Sequence, residues 1–309
     1  MKKSLVSGVA LALALSAGSA FAADLPSRKA PPYVPPPPPM WTGFYVGLNA
    51  GYTFANSNNM VVNSGVLAAT AVAPGAAANA AAAAAAAAGV TGFLPAGNNS
   101  GFLGGGQIGY NWQFASNFVA GVEADIQGVA AGGGSGSAFT TAVPTAAPAP
   151  VGVWVSSTTA SKRLDYLGTV RGRIGYLITP TLLVYGTGGL AYGGVSTSLN
   201  ISQLPTGAAL AAAYAPMFGA SAFSDTRVGW TAGGGLEWMF MPNWSAKVEY
   251  LYYDLGNVAI NSVPLVAVAP AGVAFANSAW TTTRFDGHIV RAGVNYHFNW
   301  GAAPVVAKY

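Results

Sequence analysis

The feature that most constrains this chain is a set of eight segments in which apolar and polar residues alternate one by one. A period of two belongs to a β-strand with one apolar face. The eight segments cover approximately 41–55, 101–115, 118–132, 162–178, 182–199, 226–241, 244–259 and 284–298. Because the connections between them alternate strictly between short and long, the pattern predicts an antiparallel sheet with two different ends.

The lengths of the connections indicate what kind of sheet this is. Residues 116–117, 179–181 and 242–243 are tight turns that contain proline or asparagine, which such turns favour. The other connections run for about 24 to 45 residues. Short turns at one end and long loops at the other are typical of outer-membrane barrels. We therefore expect an all-β fold, an eight-stranded antiparallel up-and-down transmembrane β-barrel with short periplasmic turns and long extracellular loops.

The composition supports a membrane protein without membrane-spanning helices. Only 7% of the residues are charged and 52% are hydrophobic, whereas a soluble domain carries about 25% charged residues. After residue 22 no apolar run approaches the roughly 20 residues of a spanning helix. The net charge of +4 is too small to indicate nucleic-acid binding, and the absence of cysteine excludes disulfides, thiol nucleophiles and cysteine-ligated metals.

The N-terminal residues have the organisation of an export signal. Two lysines precede an apolar stretch, and an A-x-A cleavage site ends at Ala22. We expect a signal peptide over 1–22, an extended proline-rich periplasmic segment over 23–40, and the barrel domain over 41–309. The mature chain would then be exported to the outer membrane of a Gram-negative cell.

The long connections have little amphipathic pattern. Residues 56–100, 133–161 and 200–225 are rich in alanine, serine, threonine or proline, and the first contains the run Ala80–Ala88. We expect external loops that are partly disordered. The alternative of a short helix over 76–88 stays open, because alanine favours helix but this run has no periodic face of large apolar side chains.

Charged residues occur within the most apolar segments, and in the central part of a segment they occupy only the odd or only the even positions. In 163–176, Arg171 and Arg173 share the odd positions with Asp165, while the even positions are apolar, tyrosine or glycine. In a transmembrane barrel alternate residues face lipid and lumen, so the polar parity is predicted to face inward. Segment 182–199 sorts poorly, and its faces stay unassigned.

The same sorting in the other segments predicts a charge network in the lumen. An eight-stranded barrel is about wide enough to be filled by side chains, so inward acids and bases should pair and plug it. The network is expected to consist of Glu123, Asp125, Arg171, Arg173, Glu237, Lys247, Glu249 and Arg291. Four acids would then meet four bases.

Aromatic residues are expected to mark one edge of the membrane. Tyrosine and tryptophan gather at membrane interfaces, and eight aromatic residues fall near predicted short turns or strand ends. They are Trp41, Trp112, Tyr176, Trp238, Trp244, Tyr250, Tyr296 and Phe298. We therefore predict an aromatic girdle at the short-turn end.

Four stretches carry a resemblance to a known family. They are WTGFYVGLNAGY (41–52), TVRGRIGY (169–176), VEYLYYDLG (248–256) and HIVRAGVNYHF (288–298). On these residues the chain resembles the small outer-membrane immunogenic or porin-like β-barrel proteins of alpha-proteobacteria, whose architecture is that of an OmpA-type eight-stranded barrel. The resemblance implies a surface antigen or envelope-stabilising protein, and porin activity is often assigned to this family by name.

The same resemblance implies a partner for the last strand. The ending VNYHF is similar to the aromatic-ended signal that the barrel-assembly machinery recognises, so Tyr296 and Phe298 would carry that role. The chain continues through NWGAAPVVAKY, which leaves open whether Phe298 or Tyr309 is the recognised end.

These observations predict a non-enzymatic integral outer-membrane protein with a structural and surface-antigen role, and a narrow porin-like channel for small solutes is the alternative. No motif serine accompanies His288 or His297, and no acidic cluster completes a metal site, so we expect neither catalysis nor a cofactor. Outer-membrane lipids and lipopolysaccharide are the expected neighbours. The loops offer only Phe139 and Trp154 as anchors for another partner, and the oligomeric state stays open.

Overall fold

The computed structural model describes residues 41–56, 59–95, 100–131, 133–145 and 149–298. The predicted signal peptide, the predicted proline-rich segment and the C-terminal Tyr309 lie outside these described residues. Within the described part, none of the helices has the length and apolar character needed to cross a bilayer.

Eleven strands and two helices follow one another along the described residues. The strands are β1 (Gly43–Ala55), β2 (Asn59–Ala69), β3 (Gly92–Pro95), β4 (Gly101–Phe114), β5 (Phe118–Ala131), β6 (Gly134–Ala142), β7 (Val153–Thr179), β8 (Leu182–Thr206), β9 (Met217–Met241), β10 (Trp244–Ala269) and β11 (Gly272–Phe298). The helices are α1 (Ala76–Val90) and α2 (Ala208–Ala213).

Eight of these strands form a closed antiparallel ring. Their order is β1, β4, β5, β7, β8, β9, β10, β11, and pairing of β11 with β1, from Phe44↔Phe298 to Ala55↔Gly287, completes the ring. Closure gives every strand two hydrogen-bonded neighbours, which a sheet in lipid requires. The turns after β4, β7 and β9 are tight. The predicted fold class is therefore confirmed: the chain is an eight-stranded up-and-down barrel.

The strands from β7 onward are more than twice as long as a membrane requires. They contain 25 to 27 residues each, whereas about 9–11 residues cross the hydrocarbon layer. The prediction of partly disordered loops is therefore wrong for most of 200–225, and the long connection expected between the last two segments, 260–283, is also mostly strand. These residues form the outer halves of β8 to β11, and only a tight turn joins β10 to β11.

The outer halves of the strands separate into two lobes. β9 pairs with β10 only as far out as Trp230↔Asp254, and a bulge with Gly256 at φ +77° lies just beyond. Farther out, in the described residues, β9 pairs with β8 alone and β10 with β11 alone. β6 extends the first lobe beside β7, and β2 with β3 extends the second beside β11. We call these extracellular extensions, with α1 and α2, the cap.

α1 is buried in the interior of the cap, and the open choice over 76–88 is resolved in favour of helix. Ala83 and Ala86 are fully buried. Their small side chains let the surrounding strands approach the helix closely. Two wall residues bond its backbone: Gln203 Nε2 donates to Ala86 O at 2.6 Å, and Asn277 Nδ2 donates to Ala83 O at 2.9 Å. These bonds hold the helix against both lobes.

Two outward-facing rings of aromatic side chains bracket the membrane-spanning part. On β9, β10 and β11 the rings are eight residues apart, from Trp238 to Trp230, from Trp244 to Tyr252 and from Tyr296 to His288. Eight residues span about 27 Å along a strand, and strand tilt reduces this to about 20 Å across the membrane, close to the apolar band of such barrels. The inner ring includes six predicted girdle residues, Trp112, Tyr176, Trp238, Trp244, Tyr296 and Phe298.

The girdle prediction is wrong for Trp41 and Tyr250. Trp41 is fully buried, and its Nε1 donates to Pro180 O at 3.0 Å inside the short-turn end of the barrel. Tyr250 lies beside His288 in the outer ring, with ring centroids 5.7 Å apart. Trp41 precedes β1, so strand parity does not place it, and Tyr250 lies too far along β10 to reach the inner ring.

Candidate functional site

The structure places all eight predicted network residues inside the membrane-spanning part of the barrel. They come from β5, β7, β9, β10 and β11, and none is more than 5% exposed. Each lies on the inward parity of its strand, so that side chains from five strands meet in one cluster. We call this cluster of eight residues the lumen network.

Arg171 is at the centre of the lumen network. Its Nη2 lies 2.5 Å from Glu123 Oε1 and 3.1 Å from Asp125 Oδ2, and its Nη1 lies 2.8 Å from Glu249 Oε1. Its Nε donates to Thr169 Oγ1 at 2.9 Å. One guanidinium thus contacts three carboxylates, a geometry that suits a planar group with five N–H donors.

Arg291 and Lys247 surround the same acids. Arg291 Nη2 lies 2.8 Å from Asp125 Oδ2 and 2.5 Å from Glu249 Oε2. Lys247 Nζ lies 2.8 Å from Glu123 Oε1. Three acids and three bases are therefore in direct contact, in a place that water does not reach and where each pair interacts strongly.

Arg173 forms a second centre nearer the short turns. Its Nη1 lies 2.9 Å from Glu237 Oε2, and its Nε donates to Asn111 Oδ1 at 2.9 Å. The guanidinium also lies over the rings of Tyr45 and Tyr185, 4.9 and 5.1 Å from their centroids. Such cation–π contacts are strongest where water is excluded. Arg173 is thus held by a carboxylate, an amide and two rings.

Two tyrosines that were not predicted as site residues bind carboxylates of the lumen network. Tyr45 Oη donates to Glu123 Oε2 at 2.6 Å, and Tyr185 Oη donates to Glu249 Oε1 at 3.1 Å. In β1, Tyr45 shares its parity with the polar Asn49, so the alternation rule could have identified it. Tyr185 on β8 gave no such signal.

The inward and outward faces of β8 could not be assigned from the sequence, because both are apolar within the membrane. Leu183, Ala191 and Val195 point inward and are buried, whereas Val184 and Leu190 face the lipid. Polarity then does not distinguish the two sides, and only the ladders with β7 and β9 do.

Asp165 does not share the inward face with Arg171, contrary to the predicted parity. A bulge between Leu164 and Tyr166 shifts the register of β7 against β8, so that Leu164 points inward. Asp165 instead pairs on the outside with Arg163, at 2.6 Å. One extra residue reverses the direction of every side chain that follows.

Inward glycines make room for the inward tyrosines. Gly109 lies opposite Tyr45, and Gly235 lies opposite Tyr185. A Cβ atom at Gly109 would lie 2.3 Å from Cζ and Oη of Tyr45, and one at Gly235 would lie 2.8 Å from Tyr185 Oη. The absence of a side chain at these positions therefore allows both hydroxyls to reach the carboxylates.

We expect Gly109→Ala to destabilise the barrel by about 1–3 kcal/mol, the usual cost of overpacking. The new methyl group would displace the Tyr45 ring from Glu123. The midpoint of urea unfolding in detergent micelles, followed by tryptophan fluorescence, measures the change. Gly104→Ala on the same strand is the matched control, since its Cβ would meet only Asn49 O, at 3.6 Å. Equal midpoints for the two variants would contradict the role assigned to Gly109.

Apolar side chains close the lumen network at both ends. At the short-turn end Trp41 packs with Leu183 and Met239. At the outer end Leu251 and Ile289 belong to an apolar cluster that follows the network along the strands. These five residues are at most 3% exposed, so solvent reaches the network from neither side.

Lys162 crosses the interior beyond the outer apolar cluster, outside the membrane-spanning part. Its Nζ donates to Arg284 O on β11 and lies 4.6 Å from the Phe285 ring centroid. Burial lowers the pKa of Lys162 to about 8, an effect that the carboxylate of Asp286 partly offsets. The ammonium ties β7 to β11, two strands that are not neighbours in the ring.

The two histidines lie in different surroundings. His297 points inward, with Nε2 at 2.8 Å from Ser245 Oγ and 3.5 Å from Glu237 Oε1. His288 is in the outer aromatic ring, with Nδ1 at 2.6 Å from Tyr250 Oη. Ser245 lies 52 residues before His297 along the chain, so nothing in the sequence indicated that the two are neighbours. Among the described residues no group of histidine, aspartate and glutamate side chains could hold a metal ion.

The two residues of the predicted assembly signal lie at the end of β11. Phe298 pairs with Phe44 of β1, where the ring of strands closes, and its ring centroid lies 5.1 Å from that of Tyr296. Their recognition by the barrel-assembly machinery stays a prediction.

Comparison with known proteins relates the whole barrel to one family. Residues 8–298 match the family model described as "Outer membrane protein beta-barrel domain". The chain is 32% identical to the 31 kDa outer-membrane immunogenic protein of Brucella melitensis over an alignment of 311 residues. This alignment covers 96% of this chain and 100% of that protein. It is 34% identical to the 22 kDa outer membrane protein of Rhizobium leguminosarum bv. viciae over an alignment of 152 residues. This second alignment covers 48% of this chain and 52% of that protein.

Among solved structures, OprG from Pseudomonas aeruginosa is similar with a TM-score of 0.34 and 10% identity, over 83% of this chain and 97% of that one. The two sequence matches confirm the resemblance carried by the four motifs. The chain therefore belongs to the outer membrane protein β-barrel domain family, and its location is the outer membrane of a Gram-negative cell.

Proposed function

We propose that this chain is a closed, non-enzymatic structural barrel of the outer membrane that displays its cap at the cell surface. The observation that carries the proposal is the burial of the lumen network, of which no member is more than 5% exposed. The alternative function, a narrow porin-like channel, requires water and solute in contact with the groups that line the passage.

The contacts of the lumen network support a seal. Each of its four acids lies within 2.9 Å of a base. A permeating ion would have to replace such pairs in a medium of low dielectric constant, where a buried charge left without its partner is costly. The apolar clusters at both ends add a barrier on each side.

The cap supports the surface-antigen role. Its lobes are built from paired strands that continue those of the membrane-spanning part, so it presents a folded surface outside the cell. The Brucella protein to which the chain is similar is an outer-membrane immunogenic protein. We extend that role to this cap.

The cluster of Ser245, His297 and Glu237 supports a structural role rather than hydrolysis. In a hydrolase triad the acid binds the histidine nitrogen opposite the one that faces the nucleophile. Here Ser245 Oγ donates directly to Glu237 Oε1 at 2.5 Å, and the carboxylate faces the same histidine nitrogen as the serine. Ser245 is also fully buried, so no substrate reaches it.

Planar-bilayer recording tests the closed barrel. We expect the purified, folded protein to give no stable single-channel steps, because the lumen network and its apolar ends leave no path for water. A shift in gel mobility between unheated and boiled samples verifies that the protein is folded, and a known porin verifies the recording. Reproducible conductance steps from the folded protein would contradict the proposal and favour the porin-like alternative.

A further inference from the structure

We propose that the outward face of β7, β8 and β9 within the cap binds the saccharide chains of lipopolysaccharide molecules in the surrounding leaflet. This inference goes beyond the structural role, because it assigns a ligand to one face of the cap. It rests on the side chains of that face, on its two ends and on its position above the membrane.

On β7 and β8 the face is a grid of small hydroxyl and amide side chains, and on β9 it continues with Ala220 and Ala222, which pair with Asn200 and Ser198. Two shallow grooves of about 480 and 400 Å³ follow it. The ladder between β7 and β8 sets these outward residues side by side, Ser157 with Ser202, Thr159 with Asn200 and Ser161 with Ser198. Neighbouring strands lie about 4.8 Å apart and successive outward residues about 7 Å apart, so polar groups recur regularly over the part of the face that β7 and β8 form.

The side chains of the grid can both donate hydrogen bonds to a ligand and accept hydrogen bonds from it. A hydroxyl donates one bond and accepts two, and an amide donates two and accepts two. Thr159 is half-buried and Asn200 is exposed, so both present polar atoms to solvent. Ser161 and Ser198 share one bond, with 2.6 Å between their hydroxyl oxygens, and keep further acceptor capacity. Sugar hydroxyls, which also donate and accept, match such a surface.

Two larger side chains lie at opposite ends of the grid. At the outer end Phe218, which is 71% exposed, pairs with Ser202, and an exposed ring can pack against the apolar face of a sugar. At the membrane end lies Arg163, whose side chain is 58% exposed although it pairs with Asp165. Its remaining N–H donors suit a phosphate group.

The position of the grid identifies its occupant. The grid begins just beyond the point where Tyr166 Oη and Thr226 Oγ1 bond at 2.7 Å, near the outer aromatic ring, and it continues away from the membrane. Lipopolysaccharide has phosphates on its lipid anchor and extends its sugar chain outward from the leaflet. Arg163 therefore lies at the height of the phosphates, and the uncharged grid lies at the height of the sugars. A protein partner would need aromatic or arginine anchors at the centre of the face, where the side chains are small: serine, threonine and asparagine on β7 and β8, and alanine on β9.

The other lobe shows that this face is not a general property of the cap. There β10 and β11 turn large apolar side chains outward, each 41–48% exposed: Val266, Val268, Val273 and Trp280. The hydroxyl grid is thus a feature of the first lobe, where the exposed apolar side chains of Leu204 and Phe218 lie at its outer end.

The test measures binding of the full chain, in detergent micelles, to purified lipopolysaccharide and to the polysaccharide released from it without its lipid anchor. Thr159→Val combined with Asn200→Leu keeps the side-chain volume of one row and removes its polar atoms. We expect this double variant to bind the polysaccharide about tenfold more weakly in calorimetry. Thr282→Val, at an exposed position on the outward side of β11, is the matched control and should bind like the wild type.

Arg163→Gln separates the two parts of the ligand. We expect it to weaken binding of lipopolysaccharide and to leave binding of the released polysaccharide unchanged. Unaltered polysaccharide binding by the double variant would overturn the proposal, and so would equal binding of dextran and of the polysaccharide by the wild type. Because neither result involves the lumen, the closed barrel would stand or fall separately in the conductance test.

Discussion

Arg171→Met is expected to lower the free energy of unfolding by about 3–5 kcal/mol, the cost of removing one partner from a buried ionic cluster. Arg171 is 2% exposed and contacts Glu123, Asp125 and Glu249. Methionine keeps much of the side-chain volume but none of the N–H donors, so the three carboxylates would keep only the bases Lys247 and Arg291 within 3 Å. The midpoint of guanidinium unfolding in micelles measures the loss.

Arg163→Met is the matched control for this experiment. It makes the same substitution at an outward arginine whose pair with Asp165 is largely exposed, and exposed pairs contribute about 0–1 kcal/mol. If Arg171→Met does not fold, adding Glu249→Gln removes one stranded charge and should restore part of the folded fraction. An Arg171→Met variant as stable as the Arg163→Met variant would mean that the lumen network does not stabilise the barrel.

The members of the lumen network could be predicted from the sequence, but their contacts could not. Lipid penalises a charge on the outer face of a strand, so the parity of each strand was enough to assign its charged residues. The pairing depends on the whole ring: Lys247 lies opposite Glu237 in the ladder, yet its Nζ contacts Glu123 across the lumen. Which inward side chains meet is decided by the tilt and stagger of the closed barrel, and no single strand determines those.

The cap could not be predicted from alternation. In the outer half of β7 the inward residues include Ser156 and Ala160, and in β8 they include Gln203. All three are buried, yet as small or polar residues they do not stand out from the serines and threonines of the outward face. Polarity therefore gives no period of two there. These residues are buried because α1 fills the interior, and a helix of alanine has no apolar stripe that would predict its own burial. The cap is a tertiary effect.

Phe275→Ala is expected to unfold the cap while the membrane-spanning barrel stays folded. Phe275 is fully buried in the cap, and its ring centroid lies 6.0 Å from that of Trp154 and 5.5 Å from that of Tyr214. Truncation of a buried phenylalanine costs about 3–5 kcal/mol. The apolar core of the cap and the cluster above the lumen network consist of different buried residues, although the half-buried Phe223 packs against both, so the lumen contacts do not depend on the Phe275 ring. Proteinase K should therefore cleave the cap of the variant much faster than that of the wild type.

Phe139→Ala is the control that separates loss of the cap core from loss of any phenylalanine in the cap. Phe139 lies on β6 and is 75% exposed, so its removal should change stability by less than about 0.5 kcal/mol and leave proteolysis unchanged. The heat-dependent gel shift reports the membrane-spanning barrel in the same samples. Since the β7–β8 ladder resumes beyond the bulge between Leu164 and Tyr166 and continues into the cap, loss of that shift in Phe275→Ala would show that both parts unfold as one cooperative unit.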